Sequence, residues 1–208
     1  SVDVAVDTPQ GEVAVAAALL PAVASDQALP PQDVNSVRQV YEEAFASMGL
    51  RLTRAALIDL EGGRYEPSPD GRHLALYVEP TDPAYTTEQY AERLWTLSAL
   101  VTPDVFERWP ELESYDICQE PHPDVNDDPE PPPVTQLNIT RPKAALIDWA
   151  GGDLVELLVA ARTDNDVRVI ISRDIRETPT YADANAAARA ATGAADTPVL
   201  SAPPTSAG

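Results

Sequence analysis

The sequence predicts an α+β domain in which a mainly antiparallel sheet of about five strands carries helices on one face. Three observations predict it. Apolar residues recur at helical spacing behind capping residues at Asp33 and Thr86. Apolar and polar residues alternate over 73–78 and 134–139, and proline- and glycine-rich turns separate these segments. With 208 residues and 44% hydrophobic content, the chain can bury one sizeable core.

Taken in order, residues 1–32 lack aromatic side chains and end in Pro30-Pro31, which predicts an irregular arm with at most one short alanine-rich helix. The domain is expected over 33–193. Asp33 caps a helix in which Val34, Val37, Tyr41, Ala44, Phe45 and Met48 form one stripe, and Gly49 stops it. Residues 50–60 begin with strand-like alternation, and Gly62-Gly63 turns the chain. The turn Pro67-Ser68-Pro69-Asp70-Gly71 leads into a half-buried strand over 73–78. Thr86 and Gln89 form a capping-box pattern ahead of Tyr90, Leu94, Trp95, Leu97 and Val101; Pro103 is expected to restart a short helix ending near Trp109. A strand is predicted over 114–119.

Residues 120–133 contain six prolines and five acids, a composition that favours an extended surface linker between two half-domains. Beyond it, a strand is expected over 134–139, a short helix capped by Thr140, and a helix opened by Asp153 and Glu156. The most apolar strand follows over 167–172, then a final helix from about Thr180 to Thr192 with Gly193 as its stop. Residues 194–208 read as disordered. Ala55-Ala56-Leu57-Ile58-Asp59 recurs as Ala144-Ala145-Leu146-Ile147-Asp148, each followed by Gly-Gly and later by Pro-x-Tyr, so an internal duplication is a further expectation.

The formal charge of −20 arises from 34 acidic against 14 basic residues, Lys143 being the only lysine. That field repels phosphate backbones, which argues against nucleic acid and anionic membranes as partners. No apolar run reaches the roughly 18 residues a spanning helix needs, so membrane insertion by this region is not expected. Residues 13–24 resemble a signal-peptide core, but Asp3, Asp7 and Glu12 stand where such a peptide carries positive charge. The chain starts at Ser1, and removal of a preceding segment is expected.

No cofactor, metal or catalytic group is read from the sequence. Cys118 is the single cysteine and reads as a buried small hydrophobe. Asp124-Val125-Asn126-Asp127-Asp128 starts like a calcium loop, but Pro129 replaces the required glycine and Thr135 the bidentate glutamate. Cys118, His122, Asp124 and His73 form a weak zinc set. His73 and His122 are the only histidines, and neither lies in a nucleophile elbow. The aromatic residues read mainly as core. A ligand groove is expected near Trp149, beside Gly151-Gly152, with Tyr77, Tyr85 and His73.

Ser68-Pro69-Asp70-Gly71-Arg72-His73-Leu74-Ala75 resembles the strand-turn signature repeated in β-propellers; its single occurrence implies only a hairpin. Residues 67–80, and 107–121 with Glu-Arg-Trp-Pro-Glu-Leu-Glu-Ser-Tyr-Asp-Ile-Cys-Gln-Glu-Pro, resemble an uncharacterised group of actinobacterial extracytoplasmic proteins. The resemblance implies a location outside the cytoplasm and no particular activity. The expected function is a non-catalytic binding or structural module of the cell envelope with a protein partner. A hydrolase and a small-ligand or calcium-binding module are the alternatives.

Overall fold

The computed structural model describes residues 9–23, 29–60, 66–126 and 128–193. The chain runs α1 (Pro9–Leu19), α2 (Val34–Ser47), β1 (Leu50–Asp59), β2 (Glu66–Pro67), β3 (His73–Pro80), α3 (Thr87–Arg108) and β4 (Ser114–Gln119). It continues through β5 (Thr135–Thr140), α4 (Arg141–Ala144), α5 (Leu154–Thr163), β6 (Val167–Ile171), a 3-10 turn at Asp174–Glu177, and α6 (Pro179–Ala191). The strands form one sheet in the order β2-β1-β3-β4-β5-β6. Every pairing is antiparallel except β3 with β4, which α3 joins by a crossover.

Local chemistry explains the helix boundaries. Asp33 Oδ1 accepts from Ser36 N at 2.9 Å and opens α2. Gly49 closes it at φ +69°, a conformation open to glycine because no Cβ meets the following carbonyl. Thr86 and Gln89 make the reciprocal capping box at the head of α3, and Asp153 accepts from Val155 N and Glu156 N at the head of α5. Thr140, expected to cap α4, makes no such bond, and its hydroxyl is buried without a partner.

Pro103 does not restart a helix. It lies inside α3, which continues to Arg108. An interior proline costs about 3 kcal/mol. The turn beyond it carries Val105 and Phe106, 0% and 8% exposed, on the same stripe as Leu97 and Val101. Burying two such side chains contributes about 3–6 kcal/mol, enough to carry the helix through.

The core lies between the sheet and the helices. Tyr41, Phe45 and Trp109 form its aromatic centre, with Tyr41 stacked on Phe45 at 5.4 Å. Arg141 pins the far end of the sheet to the foot of α3. Its guanidinium donates to Phe106 O at 2.8 Å, Trp109 O at 2.7 Å and Leu112 O at 2.7 Å; Phe106 O lies in the last turn of α3, where carbonyls lack intrahelical partners.

Strand β1 contains a device that alternation alone does not reveal. Its register against β3 shifts between Leu52 and Arg54, leaving Thr53 as an extra residue. Without that bulge Leu50 and Leu52 would share a face with Arg54 and Ala56. With it, Leu50, Leu52, Ala55 and Leu57 all turn toward the helices, while Arg54 and Ala56 face away. Thr53 Oγ1 secures the bulge, its one hydroxyl proton lying within reach of Glu120 Oε2 at 2.8 Å and Tyr77 O at 3.0 Å.

The expected sheet of about five strands is a mixed, mostly antiparallel sheet of six. The repeated pentapeptide has different structures in its two settings: 55–59 lies in β1, whereas 144–148 runs from the end of α4 into a turn. The proline- and acid-rich segment joins β4 to β5, which are hydrogen-bonded neighbours in one sheet. The Gly62-Gly63 turn and the tail at 194–208 fall outside the described residues.

Two outcomes test this packing. At Gly71 a Cβ would stand 2.5 Å from Ile58 N and 2.6 Å from Ile58 C. Gly71→Ala should therefore force β1 from the β3 turn and destabilise the protein by about 1–3 kcal/mol in urea unfolding. Burial holds the phenols of Tyr41, Tyr115 and Tyr90 above the ordinary value of 10.0, Tyr90 reaching about 12. A raised value in the fold means that the neutral phenol contributes stability below pH 10.0, which is lost as pH rises through about 12. Phenolate absorbance and circular dichroism should accordingly change together in that window.

Candidate functional site

The described helices pack on one face of the sheet, and strand alternation sends every second side chain to the other. Register places these residues in rows. Arg54, Tyr77, Cys118, Gln136 and Ile170 stand side by side across five strands; in the next row stand Ala56, Ala75, Asp116, Asn138 and Arg168. Ile58, His73, Ser114 and Thr140 make the third.

Side-chain size shapes this face. Ala56 and Ala75 are the smallest members of the middle row, and they lie between taller neighbours, Arg54 and Tyr77 on one side and Ile58 with Pro67 on the other. The result is a groove of about 480 Å³ lined by all six strands, with Asp116, Gln136, Asn138, Arg168 and Ile170 at its far end.

Asp116 organises the floor. Only 6% exposed, it accepts from Gln136 Nε2 at 3.1 Å and from Asn138 Nδ2. A buried carboxylate is tolerated when its oxygens receive such donors, and here two amides from the adjacent strand supply them. The amide nitrogens are thereby oriented inward, and among the described residues the carbonyl oxygens of Gln136 and Asn138 meet no side-chain donor. At the rim, the Arg54 guanidinium lies 3.8 Å over the Tyr77 ring.

His73 adjoins this floor. It is 1% exposed; Nδ1 is 2.8 Å from Ser114 Oγ, and Nε2 is 3.3 Å from Asp116 Oδ2 without the alignment of a hydrogen bond. Serine, imidazole and carboxylate therefore meet on adjacent strands. A nucleophilic triad needs its serine on one ring nitrogen, its carboxylate firmly on the other, and an accessible hydroxyl. Ser114 is only 7% exposed, and the His73–Asp116 contact is unaligned.

The four residues expected around one groove are distributed over the molecule. Tyr77 lines the sheet groove and His73 abuts its floor. Tyr85 lies instead in a second crevice of about 590 Å³, with Pro83, Tyr90, Pro121, His122 and Ile171. There Tyr85 meets Tyr90 edge to face at 4.8 Å. Trp149 belongs to the helix layer, stacked on Trp95 at 5.5 Å with its indole N–H donating to Ala144 O at 2.8 Å. The groove residues Asp116, Gln136, Asn138 and Arg168 were not singled out from the sequence, although alternation in 134–139 already set Gln136 and Asn138 apart from the core.

Cys118 is buried as expected, but on the groove face beside Tyr77 and Gln136 rather than among the helices. Burial, and then the nearby Asp116, push its thiol well above the ordinary range, so the reactive thiolate is disfavoured. Among the described residues no three His, Cys, Asp or Glu side chains cluster as a metal site. Asp128 and Asn126 turn their side chains onto nearby backbone N–H groups, and His122 Nδ1 accepts from Asp124 N at 3.1 Å. Asp127, the remaining acid of the calcium-like run, lies outside the described residues. No described helix is long and apolar enough to cross a membrane.

No family model matches the sequence, no curated protein is significantly similar to it, and no solved structure matches its coordinates.

Proposed function

We propose that this chain is a non-catalytic binding module of the cell envelope that holds a neighbouring envelope component across the face of its sheet opposite the described helices. The groove over Ala56 carries the reading: its floor is a buried carboxylate held by two amides, flanked by an arginine stacked on tyrosine. Such a floor presents fixed polar groups on strands, which is how a recognition surface keeps its geometry without paying for order at each encounter. The resemblance of 67–80 and 107–121 to actinobacterial extracytoplasmic proteins supports the location. A strongly acidic exterior suits a soluble component there. A partner protein remains part of the proposal as the carrier of that envelope component.

The second reading is a hydrolase, and the contact of His73 with both Ser114 and Asp116 is the observation that favours it. One pair of measurements separates them. Ala56 is part-exposed in the groove wall, so Ala56→Trp should fill the groove while leaving the melting temperature within a few degrees of wild type. Wild-type protein should co-sediment with purified actinobacterial cell-wall material and Ala56→Trp should not. Equal sedimentation of both would remove the groove from the function. A fluorophosphonate probe should leave Ser114 unlabelled; stoichiometric labelling lost in Ser114→Ala would establish the hydrolase reading instead.

A further inference from the structure

The charge of the groove runs against that of the molecule. On a chain of formal charge −20, the lining includes two guanidinium groups, Arg54 and Arg168, and a single acid. That acid is Asp116, whose oxygens already receive the amides of Gln136 and Asn138. The carboxylates near Arg54 leave it incompletely neutralised: Glu120 and Glu130 stand 3.9 and 4.0 Å away, at the limit of an ion pair, and Glu130 is exposed. Arg168 is exposed and, among the described residues, its side chain makes no hydrogen bond or ion pair.

The two arginines also stand at opposite sides of the groove. Arg54 is on β1 and Arg168 on β6, four strand spacings apart, or about 19 Å between their backbones. An occupant that meets both must be elongated and must lie across the strands rather than along them. A peptide in that direction finds no strand edge with which to pair its backbone, so side chains alone would hold it. The acceptors available between the arginines are the carbonyl oxygens of Gln136 and Asn138, which match hydroxyl donors. Guanidinium groups, in turn, match carboxylate or phosphate oxygens through paired N–H donors.

Building on the groove as the recognition surface, we infer that its ligand is an anionic saccharide chain laid across the sheet. Its acid groups meet Arg54 and Arg168, and its hydroxyls donate to Gln136 and Asn138. Tyr77 sets the direction of the Arg54 guanidinium by lying beneath it, and the apolar Ile58 and Ile170 limit the groove's width and end. The charge on such a chain can be a carboxylate or a phosphate, and both satisfy the same guanidinium geometry.

Calorimetric titration of the full chain tests the inference with three probes: a tetragalacturonate, a phosphorylated oligomannoside and the neutral maltotetraose. At least one charged probe should bind, and more tightly than maltotetraose by tenfold or more. Which of the two binds assigns the acid group. Arg54→Gln and Arg168→Gln, both at exposed positions, should each weaken that binding about tenfold, the scale of a lost charge-assisted hydrogen bond, and rising salt should weaken it further. Maltotetraose binding as tightly as the charged probes, or unchanged affinity in Arg168→Gln, would overturn the inference. So would failure of all three probes to bind. If cell-wall sedimentation nevertheless remains sensitive to Ala56→Trp, the groove keeps its role and only the ligand class falls; if it does not, both readings fall together.

Discussion

One constraint governs this molecule: the described helices cover one side of a six-stranded sheet, so each strand must divide its side chains between an apolar interior and a face on which no described element forms a second layer. Large apolar groups face the helices. On the other side the strands cannot rely on burial against a second layer, and the polar groups there satisfy one another instead. Asp116 with Gln136 and Asn138 is the clearest case, since a carboxylate 6% exposed would be costly without those donors. The bulge at Thr53 serves the same division by reversing the parity of β1 midway, so that two arginines on that strand, Arg51 and Arg54, both avoid the core.

The helix layer has its own requirement, which is that α3 must cross from the end of β3 to the start of β4 while keeping one stripe on the sheet. Its length makes this possible, and Pro103 does not interrupt it because apolar burial on both sides outweighs one missing hydrogen bond. Arg141 then closes the foot of the helix. Three carbonyl oxygens from 106–112 converge on its guanidinium, which also lies 4.7 Å over the Phe106 ring. Through that side chain, the end of β5 and the turn into β4 are held to the same point, and the middle of the sheet is braced beneath the groove.

The groove is a consequence of these packing choices. Ala56 on β1, paired with the buried Ala75 on β3, leaves a depression because its neighbours Arg54 and Ile58 are larger. Rigid strands hold its walls, and the polar network fixes the orientation of the amides on its floor. Chemistry on a substrate would ask more of the adjacent His73, whose neighbouring hydroxyl on Ser114 is buried and whose contact with Asp116 is not aligned for proton transfer. The second crevice differs in kind, being built from prolines and tyrosines whose hydroxyls already have partners: Tyr90 donates to Glu120 O, and Tyr85 accepts from Arg93.

Much of the architecture is local and was therefore legible. Caps at Asp33, Thr86 and Asp153, glycine stops at Gly49 and Gly193, and the strands at 73–78, 114–119 and 134–139 are written in neighbouring residues, because they depend on groups a few positions apart. The one-sided helix layer followed from the same patterns. What the sequence by itself determined, then, was which segments form helices and strands and which of their faces are apolar. Strand order, the bulge in β1, the continuity of α3 through Pro103 and the meeting of Asp116 with His73, Gln136 and Asn138 were decided by tertiary structure. Those contacts join residues 20 or more positions apart, where hydrogen-bond register and burial, rather than local preference, select the partners.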